Sequence, residues 1–308
     1  MRILEVTLPN FSVQSDDAHS LIRAAESRML SLIRSTSTPS NDVESIAEQA
    51  ASYHLGTGGR RIRAHLAVHV GLALDLPVGD IVSIAATAEL THNASLIHDD
   101  LQDRDRIRRG VETVWLTYGD GVAICAGDLL LSAAYCALAG VSRPHLLPTL
   151  IHMLHGHISN AAKGQCADLT NEMSRSLSIE QYERLAALKS GSLIALPIEL
   201  ALAVSGDLQA IPLARCAAES FAIGYQIFDD LNDVDIDLAR RSVQPAINAV
   251  AIMKANNTDE DAVFMARKLA TTHLTAAAKT SQSLPHQCGE VLRRLALDLS
   301  ARIHSVSA

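Results

Sequence analysis

Aromatic side chains are scarce in this 308-residue chain: Phe, Tyr and Trp together make up 3%, with one Trp. Sheets lean on aromatic and β-branched residues. The shortage, beside a 48% hydrophobic content rich in Ala and Leu, favours close-packed helices. No period-2 run bounded by turn residues stands out. Cysteines are few and odd in number (Cys125, Cys136, Cys166, Cys216, Cys288), with no C-x-x-C spacing. That pattern excludes a disulfide framework and predicts buried, inert thiols in a reducing compartment. Met1 to Phe11 has no basic stretch followed by an apolar run, so no secretory signal is apparent. Long apolar runs are broken, by Asp128 within 121–141 and by Pro197 and Glu199 within 191–205, which predicts no membrane span. A net charge of −8 speaks against broad nucleic-acid binding. These absences together predict a soluble cytoplasmic protein.

What is present is helical periodicity. Residues 35–42 form a polar break with helix-start residues, and 42–55 reads as a helix. Gly56, Gly58 and Gly59 punctuate before a helix over 60–74, and a long helix runs from about Asp80 to an acidic cluster at Asp99. A charged loop is expected over 104–117. Helices follow at about 118–140, 146–171, 178–204, 212–235, 243–254, 259–280 and 287–304. The expected fold is all-α: a single bundle of ten or so helices, the long ones surrounding a central cavity. Residues 1–40 form an N-terminal segment with room for a helix, and 41–308 a single catalytic domain.

Two aspartate clusters of one form carry the chemistry. Asp99-Asp100-Leu101-Gln102-Asp103 and Asp229-Asp230-Leu231-Asn232-Asp233 lie 130 positions apart, each closing an apolar helical stretch. First and last carboxylates sit one turn apart on one face, roughly 6 Å apart at Cβ. Such repulsion costs about 0.7 to 3 kcal/mol per pair, and divalent cations would offset it. Hard Mg²⁺ is held by a few carboxylates plus substrate phosphates. Between Asp99 and Arg109, Asp99, Asp100, Asp103 and Asp105 alternate with Arg104, Arg106, Arg108 and Arg109, a mixture suited to a metal–phosphate ligand. The plainer alternative is two solvated helix ends and a salt-bridged loop.

Taken in order, Gly58-Gly59-Arg60-Arg61-Ile62-Arg63, the first cluster with Arg108-Arg109-Gly110, Ala126-Gly127-Asp128, Gly164-Gln165 with Asp168-Leu169, Lys189-Ser190-Gly191 and Gln226-Ile227-Phe228-Asp229-Asp230 resemble the trans-isoprenyl (polyprenyl) diphosphate synthase family. The likeness runs from about residue 50 to the C-terminus. It implies an isoprenoid synthase-like fold and a homodimer. The implied reaction joins an allylic diphosphate to isopentenyl diphosphate with several Mg²⁺ ions. By the resemblance Asp99, Asp103 and Asp229 are the principal metal ligands, supported by Asp100 and Asp233, with the two clusters facing each other. Arg60, Arg63, His92 and Arg109 fall on the isopentenyl diphosphate positions. Arg108, Lys189, Ser190, Gln226 and Arg241 fall on the allylic diphosphate side, Lys189 among the catalytic residues. Three departures stand out: Arg60 replaces the usual Lys, Ala64 the usual Pro, and the loop after Asp233 is short. Arg240-Arg241-Ser242-Val243-Gln244-Pro245 occupies the place of a Lys-bearing segment, which implies a looser lid.

Chain length follows from sterics. Ala94 and Ser95, five and four residues before Asp99, are small where a bulky aromatic would stop product growth. A tail longer than farnesyl is therefore expected, geranylgeranyl or somewhat longer. Competing readings are a class I terpene cyclase, prenyl transfer to a non-isoprenoid acceptor, and a weakly active partner subunit of a heteromeric synthase. A di-iron bundle lacks its pair of Glu-x-x-His motifs. His152, His155 and His157 do not share one helix face, which favours surface or helix-end histidines over a zinc site.

Overall fold

Alanine governs how these helices meet. A computed structural model describes residues 15–34, 45–170, 177–240, 247–256 and 261–305, with backbone alone at 15–16, 233–240, 256 and 304–305. Among them the chain divides into two compact units. One takes the residues up to His155 plus Leu196–Gly206; the other takes Gly156–Ala195 and the residues from Asp207 on. The fold is all-α.

The first unit contains α1 (Ser15–Ile33), α2 (Ile46–Gly56), α3 (Ile62–Ala73), α4 (Val78–Gln102), α5 (Val114–Tyr118) and α6 (Asp120–Leu138), and α7 (Leu147–Leu169) begins there. α4 is its central rod, packed on α6, α3 and α1. Every residue from Ser83 to Thr91 is buried, so all faces of that stretch are covered. Ala50, Ala51, Ala94, Ala123, Ala126 and Ala134 belong to the core shared by α2, α4 and α6. Small side chains at such contacts bring helix axes to the near end of their usual spacing, which is how a core forms with so few rings. Ser45 starts α2 through a reciprocal cap with Glu48: Glu48 N donates to Ser45 Oγ at 3.2 Å, and Ser45 N to Glu48 Oε2 at 2.9 Å.

In the second unit α8 (Ile179–Ala186) runs through a five-residue π turn (Ala187–Gly191) into the start of α9 (Ser192–Ser205). α10 (Ile211–Arg240) lies along α12 (Ala262–Gln282), which packs on α13 (Glu290–Ser305), with α11 (Ala249–Asn256) against α10 and α12. Leu274 of α12 sits over Gly224 of α10, where an added Cβ would come within 2.6 Å of it.

Three local expectations need correction. The charged loop over 104–117 contains a hairpin, β1 (Ile107–Arg108) with β2 (Val111–Glu112), as well as α5. Its two-residue turn is Arg109 at φ 54° and Gly110 at φ 82°, the mirror-image geometry that suits hairpins; two-residue strands are too short to leave a periodic signal. The helix expected over 243–254 starts at Ala249, because Asn248 caps it: Val250 N and Ala251 N donate to Asn248 Oδ1 at 2.9 and 3.2 Å. Finally, four of the five cysteines are exposed, Cys125 and Cys136 among them on the outer face of α6. Only Cys288 is buried, and burial pushes its thiol up to about 11.

Two helical runs, Asp120–Leu138 and Ile179–Ser205, are long and apolar enough by length and composition to cross a membrane. The second of them is mostly buried within the protein, as a core helix is.

Candidate active site

The first aspartate cluster closes α4. Asp99 is half-buried, Asp100 is 1% exposed, and Asp103 is exposed as the C-terminal cap of the helix. Arg108, on β1, donates from Nε to Asp100 Oδ1 at 2.6 Å, and a second guanidinium nitrogen pairs with the same oxygen. Burial pushes the Asp100 carboxyl up from the ordinary range, and Arg108 opposes that shift. The hairpin is tied down beside it: Trp115 Nε1 and Thr113 Oγ1 each donate to Asp105 O at 2.8 Å. Gly127 of α6 has no Cβ because the His98 ring, next to Asp99, occupies that space.

A cationic set forms around the glycine turn before α3. Gly58 (φ 81°) and Gly59 (φ 128°) take backbone that other residues rarely adopt. At Gly59 a Cβ would also come within 2.7 Å of the Arg109 guanidinium. Arg109 Nη1 donates to Gly58 O and, at 3.3 Å, to Thr57 Oγ1. Burial, then Arg61 and Arg108, lower Arg109 to about 10. His92 is held well below its usual value by burial and then by Arg63, Arg109 and Arg108, so it is neutral at physiological pH. The structure thus brings Arg63, His92, Arg108 and Arg109 into one field, with Arg60 on the same turn.

His54 is neutral as well, lowered to about 3 by burial and then Arg109 and Arg108. Its Nε2 lies 3.2 Å from Asn93 Oδ1. Asn93 Nδ2 donates to Glu89 O at 2.8 Å, so Oδ1 is the acceptor and His54 Nε2 carries the proton.

The second cluster lies on α10 in the other unit. Asp229 is 2% exposed. Asp230 accepts from Tyr182 Oη at 2.7 Å, from Gln226 Nε2 at 3.1 Å and from Ala249 N at 2.8 Å, while Asn248 Nδ2 donates to its carbonyl at 3.1 Å. Burial, then the Asp230 charge, drive the Tyr182 hydroxyl well above its usual value. Lys189, in the π turn, donates to Asp168 Oδ2 of α7 at 2.6 Å, and Ser190 beside it is half-buried. A Cβ on Gly164 would lie 2.7 Å from Lys189 N, so α7 and the π turn touch backbone to backbone. Gly164, Asp168 and Lys189 therefore form one feature. π turns are frequent at functional positions because the extra residue re-aims its neighbours. Asp233 has only its backbone described, and Arg241 lies outside the described residues.

Ala94 and Ser95 part company. Ala94 is fully buried in the core of the first unit; Ser95 is half-buried and donates to His92 O at 2.8 Å. His152 and His155 are exposed and His157 is buried, so the three do not converge.

Among the described residues no group of three or more His, Cys, Asp or Glu forms a metal cage by itself. The donors nonetheless fit Mg²⁺, which takes one or two carboxylates and leaves the rest of its shell to phosphate and water. Asp99 and Asp103 offer oxygens one turn apart, and Asp100 Oδ2 is buried without a hydrogen-bond partner.

The family model described as polyprenyl synthetase matches residues 44–241. This chain belongs to the polyprenyl synthetase family. Over 268 residues it is 30% identical to a geranylgeranyl diphosphate synthase of Mycobacterium tuberculosis, covering 79% of this chain and 74% of that protein. It is 31% identical to a probable farnesyl diphosphate synthase of Bradyrhizobium diazoefficiens, covering 68% and 66%. Its fold matches the geranylgeranyl pyrophosphate synthetase of the archaeon Geoglobus acetivorans with a TM-score of 0.79 at 23% identity, over 92% of this chain and 99% of that one.

Several residues of this polyprenyl synthetase escaped the sequence reading: Glu89, Asn93 and His54 behind the cationic set, and Tyr182 behind the second cluster; Arg61 and Asp230 stood in the motifs without a role of their own. Glu89 and His92 stand three apart on α4, a spacing that puts them on one face. Tyr182 leaves no comparable mark.

Proposed function

We propose that this polyprenyl synthetase is a Mg²⁺-dependent prenyltransferase that condenses an allylic diphosphate with isopentenyl diphosphate to a trans-polyprenyl diphosphate of geranylgeranyl length or near it. Family membership supports the reaction class. The observation that carries the acceptor is the gathering of Arg63, His92 and Arg109 around the Gly58–Gly59 turn. A cyclase would have no use for that set.

Asp99 and Asp103, supported by Asp100, and Asp229, supported by Asp233, are the residues that would hold Mg²⁺. Mg²⁺ held by these carboxylates would supply Lewis acidity and offset the charge of the leaving diphosphate. Lys189, Ser190, Gln226 and Arg241 are the residues assigned to the allylic diphosphate, as is Arg108 on the strength of the family resemblance. The allylic C–O bond breaks and its electron pair leaves with the diphosphate. Arg60, Arg63, His92 and Arg109 fix the acceptor diphosphate so that the isopentenyl alkene faces the allylic cation. The new C–C bond forms from the alkene electrons, and a proton leaves to the released diphosphate. The reaction requires that the cation be kept from water. Neutral His92 contributes a directed N–H and spares the site a further charge. Ala94 and Ser95 set the floor of the prenyl tail, Ala94 at a buried position and Ser95 at a half-buried one. We place the enzyme in the cytoplasm as a homodimer, without a membrane span and without nucleic acid.

The test is incubation with Mg²⁺, isopentenyl diphosphate and each allylic diphosphate in turn, with mass analysis of products. Prenyl diphosphates longer than farnesyl are expected. No elongation from any allylic diphosphate would overturn the reading.

A further inference from the structure

Glu89 is a carboxylate 2% exposed in the middle of α4, one turn before His92. Three arms leave it. Ala64 N donates to Glu89 Oε1 at 3.0 Å. Ala64 is the third residue of α3, whose own N-cap, Arg61, gives no side-chain cap bond. The amide that a cap would satisfy is therefore served from the neighbouring helix. Asn93 Nδ2 reaches Glu89 O at 2.8 Å and Oε2 at 3.4 Å, and passes the link to His54. Arg61 Nη1 stands 4.0 Å from Glu89 Oε2.

Arg61 is itself a staple. It sits at φ 51°, a left-handed conformation that costs a non-glycine residue about 1 kcal/mol or more and persists only where its surroundings enforce it. Here they do: Nε donates to Glu26 Oε1 of α1 at 2.7 Å, Nη1 to Gly58 O at 3.2 Å and Nη2 to Leu55 O at 2.9 Å. The two ends of the glycine turn are thus gathered by one guanidinium, bound by Glu26 and faced at 4.0 Å by the buried charge of Glu89. Arg63 lies between Arg61 and Ala64, so both of its flanks are pinned to this network.

We infer that Glu89 is a positioning residue for the acceptor diphosphate, capping α3 from α4 and steadying Arg61, so that Arg60, Arg63 and Arg109 meet their ligand in a fixed array. Glu26 extends the same support to α1, a helix that precedes the stretch matched by the family model. The inference rests on the reading of the preceding subsection for the identity of the ligand, and binding separates the two.

The experiment is calorimetric titration of the full chain with isopentenyl diphosphate, paired with steady-state kinetics, for wild type and Glu89→Gln. Gln keeps an oxygen for Ala64 N and removes the charge facing Arg61. Expected are about tenfold weaker acceptor binding and a matching rise in its KM, with kcat and the allylic KM within about twofold of wild type. A purely structural role would lower Tm and leave that split absent. Unchanged acceptor affinity, or an equal rise in both KM values, overturns the inference. Wild-type binding without turnover would sink the proposed reaction and leave the inference to stand on the affinity change. If Glu89→Gln does not fold, Glu26→Gln, whose side chain is 40% exposed, is titrated instead. A fall in acceptor affinity of about threefold is expected, and equal affinity overturns the inference.

Discussion

The Tyr182 hydroxyl donates to Asp230 Oδ2 across 2.7 Å, and both groups are buried. Arg108 does the same for Asp100 from the opposite chemical side, with a cation in place of a phenol. In each acidic cluster the second aspartate is thus anchored by a neighbouring side chain. The principal metal ligands proposed, Asp99, Asp103 and Asp229, all stand at first or fifth positions, so the repeated D-D-x-x-D pattern divides its labour by position.

That division makes opposite predictions within one motif. Asp100→Asn leaves Arg108 buried without its counter-charge and should cost about 3–5 kcal/mol of stability. Tyr182→Phe should cost about 1.5–3 kcal/mol, the range for a hydrogen bond to a charged group. Asp99→Ala should melt close to wild type yet lose turnover by about a hundredfold or more. Urea unfolding beside initial rates separates the two classes; a stable, slow Asp100→Asn would reverse the assignment.

Acid should weaken the fold through its neutral histidines. His54 titrates at about 3 in the folded chain and near 6.5 unfolded. Between those values the unfolded chain binds a proton that the folded chain refuses, so stability falls as pH falls. The slope is about 1.4 kcal/mol per pH unit for each such group. His65, lowered to about 4 by burial and by His69 and His19, adds to the same window. Replacing His54 with Gln, which can still donate to Asn93, should remove about one proton from the slope. Unfolding free energies measured from pH 4 to 7 give the answer.

Two glycines on α7 should respond in opposite senses. At Gly164 a methyl would strike the backbone of Lys189, 2.7 Å from N and 2.9 Å from Cα. Gly164→Ala should cost about 1–3 kcal/mol, as overpacking does, and slow the enzyme by displacing Lys189. At Gly156 nothing lies within 4 Å. Gly156→Ala should stabilise by up to about 1 kcal/mol from helix propensity alone. Thermal melts of the pair are the check.

Product length should separate the two small residues before the first cluster. Ser95→Phe, at a half-buried position, should shorten the product with little change in Tm. Ala94→Phe forces a ring into the filled core and should cost about 1–3 kcal/mol. A Ser95→Phe enzyme with wild-type products would remove Ser95 from the chain-length role.

Helices were legible because their periodicity is strong: α4 and α12 lie within a few residues of their expected spans. The hairpin at Ile107–Glu112 was not, since two-residue strands carry no period and its turn shows only in the Arg-Gly pair. Of the candidate site, the aspartate clusters stood out by their spacing, and the arginines and His92 were singled out by the family resemblance. Their supports were not. Glu89 and Asn93 look like ordinary polar interruptions of an apolar helix, and the partners that make sense of them, Ala64 and His54, come from other segments. Lys189, Gly164 and Asp168 could be singled out as motif matches, but that they touch one another shows only in the close approach of α7.

The π turn at Ala187–Gly191 holds one residue more than an ordinary spiral would use. Deleting Leu188 would restore regular winding and swing α8 by about 100° around its axis. Tyr182 would then face away from Asp230, and the collar around the second acidic patch would come undone although every residue of that patch was still in place. Length, at this spot, is as much a determinant of the enzyme as chemistry: a one-residue indel here should be as damaging as loss of an aspartate.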